Sequence, residues 1–388
     1  MSEQSGPEAA PERAGGEPGA KAAPEAIPGG GPPPPHRFGR SAPFTIGLEE
    51  ELLLVDRDTL SLAHVADRVL ERIELPRERV DHEAFLAELE VRSEPLESVR
   101  EAIAQVLEGR RAALATGATI MAAGLHPDAG LFDVELVQSE RYERVERQMR
   151  GLIKRTPECA LHVHVGVPDP QAAVAAMNGL REVLPLLHGL GANSPFWFGR
   201  DSGMASSRAA VIRAYPGRGI PPVLRSWDDY LEMLQAVRAG GGPTDHTMVW
   251  WDARPQPRLG TVELREVDAQ TSLDSAGAIA ALARALVRRA VEAPPRDPAP
   301  EQALHWSSFR AARDGLDAEI YQGGRAMPLR VAAGLVLTGL GREDPELERV
   351  ERIVREGNGA DRQRAMHERG GMPGLLRYLA EATAWPLR

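Results

Sequence analysis

Residues 44–55 read FTIGLEEELLLV, and this stretch governs the interpretation of the rest of the sequence. Acidic and apolar side chains alternate over part of it, as expected of a β-strand with one polar and one apolar face. Glu49 and Glu51 fall on the same face, whereas Leu48 and Leu52 fall on the other. We therefore predict a strand here that presents two carboxylates on one side.

Three further stretches repeat this arrangement. They read ELEVR at residues 88–92, LHVHVG at 161–166 and TVELR at 261–265. One such strand is typical of an antiparallel sheet with a solvated face. Solvated faces usually also carry Lys, Ser and Gln, but these four polar faces hold almost only Glu, His and Arg. The repetition therefore favours side chains that converge on shared ligands.

Carboxylates that converge on one point repel one another unless a cation lies between them. Magnesium takes oxygen ligands and suits phosphate chemistry. We predict that the metal ligands are the carboxylates of Glu49, Glu51, Glu90 and Glu263, all on the same side of one sheet. The only lysines are Lys21 and Lys154, so anion binding falls mainly to arginines, which grip phosphate and carboxylate oxygens with two N–H groups.

Composition narrows the class of protein. The chain has 388 residues, a net charge of −10 and a pI near 5.6, which argues against nucleic acid or an anionic membrane as the main partner. Cys159 is the single cysteine, so no intrachain disulfide can form, and a lone thiol fits a reducing compartment. No apolar run reaches the roughly 18 residues of a membrane span, and no signal-peptide core is present. We expect a cytoplasmic protein.

Two regions differ in character. Residues 1–42 are rich in Pro, Gly and Ala, and we predict a disordered tail with no catalytic role. Residues 43–388 are predicted to form a single catalytic domain. Strands and helices alternate there without a strict βαβ rhythm, which favours an α+β fold with a mainly antiparallel sheet. Among the predicted helices is one long helix over 170–190.

Several longer motifs appear in order along the chain. They are TIGLEEE at 45–51, Glu83 with Glu90, ALHVHVG at 160–166, NSPFWFG at 193–199, DSGMASSR at 201–208, WWDARP at 250–255, TVELREVD at 261–268 and FRAARDGLDA at 309–318. On these motifs the chain resembles the YbdK-type carboxylate–amine ligases, the glutamate–cysteine ligase type 2 family, from about residue 44 to 320. It departs from the family pattern at Arg200, Ser207, Ser307 and Phe309.

The resemblance implies a glutamine-synthetase-like catalytic domain whose antiparallel sheet forms an open funnel, with helices packed on the other face. It also implies an ATP- and Mg²⁺-dependent ligase that joins a carboxylate to an amine through an acyl phosphate, with amino acids or amines as substrates. Magnesium and arginines would neutralise the negative charge of the phosphoryl group during its transfer. Under this interpretation Arg254 and Arg265 are catalytic, and the residues that bind substrate or nucleotide are His162, His164, Arg208 and Arg313. A homodimer fits base rates.

Two other functions remain open at this stage. A metal-dependent amidohydrolase would place His162 and His164 on zinc, although the excess of carboxylates favours magnesium. A non-catalytic binding protein on the same fold would have no need of the acidic ligands, which are all present. The sequence has no GxxxxGK[ST] phosphate loop and no kinase motif set.

Overall fold

The structure, a computed structural model, describes residues 35–243, 245–294, 297–341 and 345–385. The strands are β1 (Ile46–Val55), β2 (Val80–Asp81), β3 (Glu88–Arg92), β4 (Thr119–Met121), β5 (Leu161–Gly166), β6 (Phe196–Trp197), β7 (Arg200–Asp201), β8 (Ala253–Gln256), β9 (Thr261–Leu264), β10 (Glu319–Gln322) and β11 (Arg325–Pro328). The helices are α1 (Ala66–Leu70), α2 (Val99–Ala115), α3 (Glu140–Met149), α4 (Pro170–Leu180), α5 (Leu184–Gly191), α6 (Ser207–Ile212), α7 (Trp227–Ala239), α8 (Leu273–Glu292), α9 (Glu301–Asp314), α10 (Leu329–Leu340), α11 (Glu348–Glu356) and α12 (Gly359–Ala384).

One seven-stranded sheet organises the molecule. Its order is β2-β3-β1-β5-β9-β8, with β4 also paired to β1. Every pairing within it is antiparallel. Helices and strands mix without a βαβ rhythm, so the predicted α+β class with an antiparallel sheet is confirmed.

The apolar face of the sheet forms the main core. Leu48 and Leu52 of β1, Leu89 of β3, Val163 of β5 and Val262 of β9 belong to one buried cluster. Helices α2, α4 and α8 pack against this side of the sheet. Because side chains alternate along each strand, burying this face leaves the charged residues of the same strands on the opposite side.

One carboxylate breaks the alternation on β1. Glu50 lies on the core side and is fully buried, and Arg110 of α2 meets it there. Arg110 Nε and Nη2 donate to the two carboxylate oxygens of Glu50 at 2.7 and 2.5 Å. The remaining guanidinium protons go to the backbone carbonyls of Gln270, Thr271 and Thr383. All five donors of the arginine are therefore used.

Two predictions need correction. The tail was assigned residues 1–42; residues 1–34 lie outside the described ranges, but Phe38 is only 7% exposed and packs against the core. The ordered chain therefore begins before residue 43, because an aromatic side chain and backbone hydrogen bonds hold it. The single helix over 170–190 is two helices, α4 and α5, with Pro185 in the first turn of the second, a position where proline's missing N–H is tolerated.

Candidate active site

The charged faces of four strands meet at the middle of the sheet. Three cross-strand neighbours form its centre: Glu49 beside His162, Glu51 beside Glu90, and His164 beside Glu263. The strand register thus brings together the four predicted metal-binding carboxylates and both histidines. Their convergence follows from the shared phase of the strands.

Three overlapping groups of metal-ligand atoms occupy this centre, and within each group the atoms lie within 4.8 Å of one another. The groups are Glu49, Glu90 and His162; Glu49, His164 and Glu263; and Glu51, Glu83 and Glu90. Two direct contacts fix the middle of the cluster. His162 Nδ1 lies 3.2 Å from Glu49 Oε2, and His164 Nε2 lies 3.4 Å from Glu49 Oε1.

Part of this cluster has too much negative charge for its surroundings. Burial raises the pKa of Glu51 well above its ordinary value, and the charges of Glu83 and Glu158 add to the effect. Burial and the charge of Glu49 do the same to the pKa of Glu90. A cation between these carboxylates would remove the repulsion that disfavours their ionised forms.

The other part of the cluster is balanced by the protein itself. Burial opposes the ionisation of Glu49 and Glu263, yet His164 holds the pKa of Glu49 well below its ordinary value, and Arg254 does so for Glu263. Burial lowers the pKa of His162 to about 3, so this imidazole is neutral at physiological pH and can act as a ligand.

The donor set fits magnesium. Two ligands of one Mg²⁺ ion with bonds of about 2.1 Å stand about 3 to 4.2 Å apart, and the ligand atoms of each group lie no more than 4.8 Å from one another. The group of Glu51, Glu83 and Glu90 is made of carboxylates alone, the ligand type that Mg²⁺ prefers. A zinc hydrolase site of the predicted kind would need both histidines on one ion, and no such group exists in the described ranges.

A central cavity of about 820 Å³ lies over the cluster. It shares lining residues with what we call the wide cavity, about 530 Å³, and with the narrow cavity, about 100 Å³, and these two cavities share no lining residue with each other. The residues shared with the wide cavity are Glu49, Arg92, His164 and Leu259; those shared with the narrow cavity include Glu83, Arg141, His162 and Arg265. The acidic cluster thus lies between two chambers of different size.

The narrow cavity is lined by charges of both signs. Its carboxylates are Glu51, Glu83, Glu88 and Glu158, and its guanidinium groups are Arg141, Arg208, Arg218 and Arg265. Arg208 Nε donates to Glu158 Oε2 at 3.0 Å, and Arg218 lies 3.3 Å from Asp252. Such a wall matches a small zwitterion, whose carboxylate and ammonium groups need partners of opposite sign.

The two predicted catalytic arginines occupy different situations. Arg254 lines the central cavity, but four of its five N–H donors are used: Nε and Nη2 donate to the two oxygens of Glu263, and Nη1 donates to the carbonyls of Thr247 and Val249. Arg265 pairs with Glu263 through Nη1 and lines both the central and the narrow cavity. Its buried Nε has no hydrogen-bond partner in the described structure. Arg265 is therefore the one better placed to accept an anion.

Two other predicted binding residues, Arg208 and Arg313, differ in their position relative to the site. Arg208 is buried, lines the narrow cavity and donates to the carbonyl of Glu266 at 3.2 Å. Arg313 does not join the cluster: its exposed side chain pairs with Asp314 at 2.8 Å and lies over the ring of Phe309. Its position at the C-terminal end of α9 explains the difference, because no strand carries it into the funnel.

The positions that depart from the family pattern lie outside the three cavities. Ser207 is buried and its hydroxyl contacts that of Ser202 at 2.7 Å. Ser307 is buried and bonds the carbonyl of Ala303. Arg200 and Phe309 are exposed. None of the four lines the central, wide or narrow cavity.

The sequence interpretation missed several residues of the site. Arg141 comes from α3 and Glu158 from a loop, and neither lies on the four charged strands. Glu83, also in a loop, was noted as part of a motif but was not predicted as a ligand. The α3 positions Arg141, Val145 and Gln148 recur at intervals of three and four, and all line the central cavity. That helical spacing is a signal that could have identified this face.

The family of the chain follows from known proteins that are similar to it. The model of glutamate–cysteine ligase family 2 (GCS2) matches residues 45–381, and the chain belongs to this family. A relative from Rubrobacter xylanophilus, named "Putative glutamate--cysteine ligase 2-3", is 40% identical over 364 residues, which cover 90% of this chain and 99% of the relative. A relative from Thermobifida fusca, named "Putative glutamate--cysteine ligase 2", is 35% identical over 359 residues, which cover 86% of this chain and 89% of the relative. The predicted family, and with it the class of ligase enzymes, is confirmed.

Solved structures share the fold at low sequence identity. The glutamate–cysteine ligase of Francisella tularensis, solved in complex with AMP, superposes with a TM-score of 0.66 at 13% identity and covers 89% of both chains. A bifunctional glutathione synthetase from Pasteurella multocida gives a TM-score of 0.60 at 15% identity, over 88% of this chain and 53% of the other.

Within the described ranges, no helix is both long and apolar enough to cross a membrane.

Proposed function

We propose that the protein is an ATP- and Mg²⁺-dependent carboxylate–amine ligase that makes an amide through an acyl phosphate. One observation carries the proposal: the acidic cluster lies between a wide cavity and a narrow, doubly charged cavity. A ligase of this type must bring a phosphoryl donor and a carboxylate acceptor to the same ions from two sides. The expected cytoplasmic location and homodimeric state stay predictions.

The two cavities suit two different reactants. The wide cavity, at about 530 Å³, has the room for a nucleoside and apolar lining from Pro95 and Leu259. The narrow cavity suits an amino acid with two carboxylates. Arg208 and Arg218 would bind one of them, and Glu158 would bind the ammonium group. The other carboxylate, the one to be activated, would then point toward the cluster. Glutamate and cysteine are the first pair to test, because the relatives carry the name of glutamate–cysteine ligases.

The residues of the cluster divide the remaining work. The three groups of ligand atoms would hold Mg²⁺, which withdraws charge from phosphate oxygens and orients the reactants when bound. Arg265, whose Nε has no hydrogen-bond partner among the described residues, would neutralise the oxygens of the transferred phosphoryl group. Arg254 acts as a positioning residue, because it fixes both oxygens of Glu263.

The reaction balances without a further reagent. An oxygen of the substrate carboxylate attacks the γ-phosphorus of ATP and ADP leaves. The amine then attacks the acyl carbon, loses a proton to solvent and expels phosphate. That phosphate retains one oxygen from the carboxylate, which makes the intermediate traceable.

The test is a screen for ADP release over pairs of amino acids and amines in the presence of magnesium, followed by an isotope experiment on the active pair. With ¹⁸O in the substrate carboxylate, we expect one ¹⁸O atom in each phosphate released. ADP release without ¹⁸O transfer would exclude the acyl phosphate. Hydrolysis of amides without nucleotide consumption would support the amidohydrolase, and nucleotide or amino-acid binding without turnover would support the binding protein.

A further inference from the structure

A tight turn precedes the first strand. The amide of Arg40 donates to the carbonyl of Arg37 at 3.1 Å, which closes a four-residue turn over residues 37–40. Gly39, its third residue, has a φ of 78°, the conformation that a type II turn requires at this position. The first and fourth residues of such a turn lie close together, so the turn presents two arginines as a pair.

This turn is held rigidly against the body of the protein. The amide of Arg37 donates to the carbonyl of Pro257 at 2.8 Å, and that of Gly39 to the carbonyl of Val167 at 3.1 Å. A Cβ atom on Gly39 would lie 2.4 Å from the carbonyl oxygen of Pro168. The ring of Phe38, between the arginines, packs edge-on against Trp227 at 5.4 Å between centroids.

Both arginines of the turn line the wide cavity. Arg37 and Arg40 are exposed, and within the described part of the chain neither guanidinium group makes a hydrogen bond or an ion pair. The third arginine of the cavity, Arg92, is already paired with Glu90. Glu49 and Glu78 supply the cavity's negative charge. The turn therefore provides the cations of this cavity that are free to bind an anion.

The same cavity offers an apolar surface and a path to the acidic cluster. Leu259 is 50% exposed although it is a large apolar side chain, and it lines both the wide and the central cavity. Pro95 is exposed on the wall of the wide cavity. Glu49 and His164 connect this cavity with the cluster. A polyphosphate with one end at the cluster would therefore extend past the turn.

We propose that the turn at residues 37–40 is a nucleotide-binding element, in which Arg37 and Arg40 bind the α- and β-phosphates of ATP while Leu259 and Pro95 face its base. Guanidinium groups suit this task because they donate two N–H bonds to one phosphate. The proposal rests on the proposed function, since it requires a nucleotide whose γ-phosphate lies at the cluster. The turn precedes the residues 45–381 that match the family model.

The experiment measures ATP binding in magnesium buffer by calorimetry for the full-length chain, for Arg37→Ala, for Arg40→Ala and for the double variant. We expect the double variant to weaken ATP binding about tenfold, which is about 1.4 kcal/mol, and each single variant to weaken it less. The corresponding lysine variants should recover part of the loss, because they keep the charge but not the two-pronged geometry. The KM for the amino acid should stay within about twofold of the parent value.

Arg111→Ala is the matched control, because Arg111 is an exposed arginine on α2 that lines none of the three cavities. Melting curves check that each variant is folded, and the exposed side chains should leave the melting temperature unchanged. If the parent binds ATP and the double variant binds it equally well, the turn has no such role. If the parent itself does not bind ATP, the proposed ligase function fails, and the role of the turn fails with it.

Discussion

The two faces of strand β1 carry carboxylates that meet opposite conditions. On the core side, Glu50 is buried with Arg110, and every donor of that arginine is used. On the funnel side, Glu51 is buried among other carboxylates, and its pKa is raised by burial and by Glu83. Adjacent residues of one strand therefore show a completed ion pair and an incomplete cluster that calls for a cation. Burial of a carboxylate alone does not indicate function; the missing counter-charge does.

The largest effect is expected when the funnel side loses a carboxylate. Glu90 belongs to two of the three ligand groups, so Glu90→Gln should lower turnover on the order of 10³-fold, the scale of losing a main electrostatic contact in a reaction. The melting temperature should hold or rise, because a source of like-charge repulsion is removed. Steady-state ADP production beside a melting curve measures both. Glu71→Gln, an exposed site at the end of α1, should change neither, and near-normal turnover in Glu90→Gln would remove Glu90 from the metal site.

Substitutions on the core side of β1 should change the stability of the protein and not its turnover. Arg110→Met leaves Glu50 buried without a cation, and we expect a loss of about 3–5 kcal/mol in the free energy of unfolding. Turnover per folded molecule at low temperature should stay within a few-fold of the parent. Replacing both partners, as in Glu50→Leu with Arg110→Met, should recover part of the stability. Denaturant titration gives these values, and an unchanged midpoint in Arg110→Met would show that the pair is not a stabilising feature of the core.

A smaller loss of activity is expected when the guanidinium group of Arg265 is replaced by the ammonium group of lysine. Arg265→Lys keeps the charge but loses the planar fork, and turnover should fall at least about tenfold, or about 1.4 kcal/mol of transition-state stabilisation. Thermal stability should change little, because the side chain lines the cavities and not the core. Unchanged ADP production would refute the catalytic role, and a matching loss of stability would assign Arg265 to the support of Glu263.

The smallest effect on turnover is expected from Arg313→Lys, which makes the same arginine-to-lysine change as Arg265→Lys but outside the cavities. Arg313 is exposed and pairs with Asp314, and exposed pairs of this kind contribute about 0–1 kcal/mol. Arg313→Lys should leave turnover within about twofold. A loss as large as that of Arg265→Lys would show that α9 moves toward the funnel during the reaction, and would restore the role predicted for Arg313 from the sequence.

The strand patterns predicted more of the site than the rest of the sequence did. Glu49, Glu90 and Glu263 were predicted to converge because side chains alternate with a period of two, and burial of each strand's apolar residues in one core leaves its charged residues on the opposite side. Glu83 and Glu158 lie in loops, where no periodicity marks the direction of a side chain.

Partners that are distant in sequence escaped prediction for a related reason. The pairing of Glu50 with Arg110 spans 60 positions, and only the packing of α2 against the sheet brings them together. The ordered turn at residues 37–40 escaped prediction because its Pro- and Gly-rich surroundings resemble a disordered tail. Its order comes from contacts with residues more than 100 positions away, such as Val167 and Trp227.

The most direct test of the central claim is the magnesium dependence of ATP binding by the full-length chain, measured by calorimetry in magnesium and in EDTA. The acidic cluster should repel the triphosphate unless a cation lies between them. We therefore expect ATP to bind in magnesium and to bind at least about a hundredfold more weakly, or about 2.7 kcal/mol, in EDTA. Equal affinity in the two buffers would contradict the assignment of the Glu49, Glu51, Glu90 and Glu263 cluster as the metal site of a ligase.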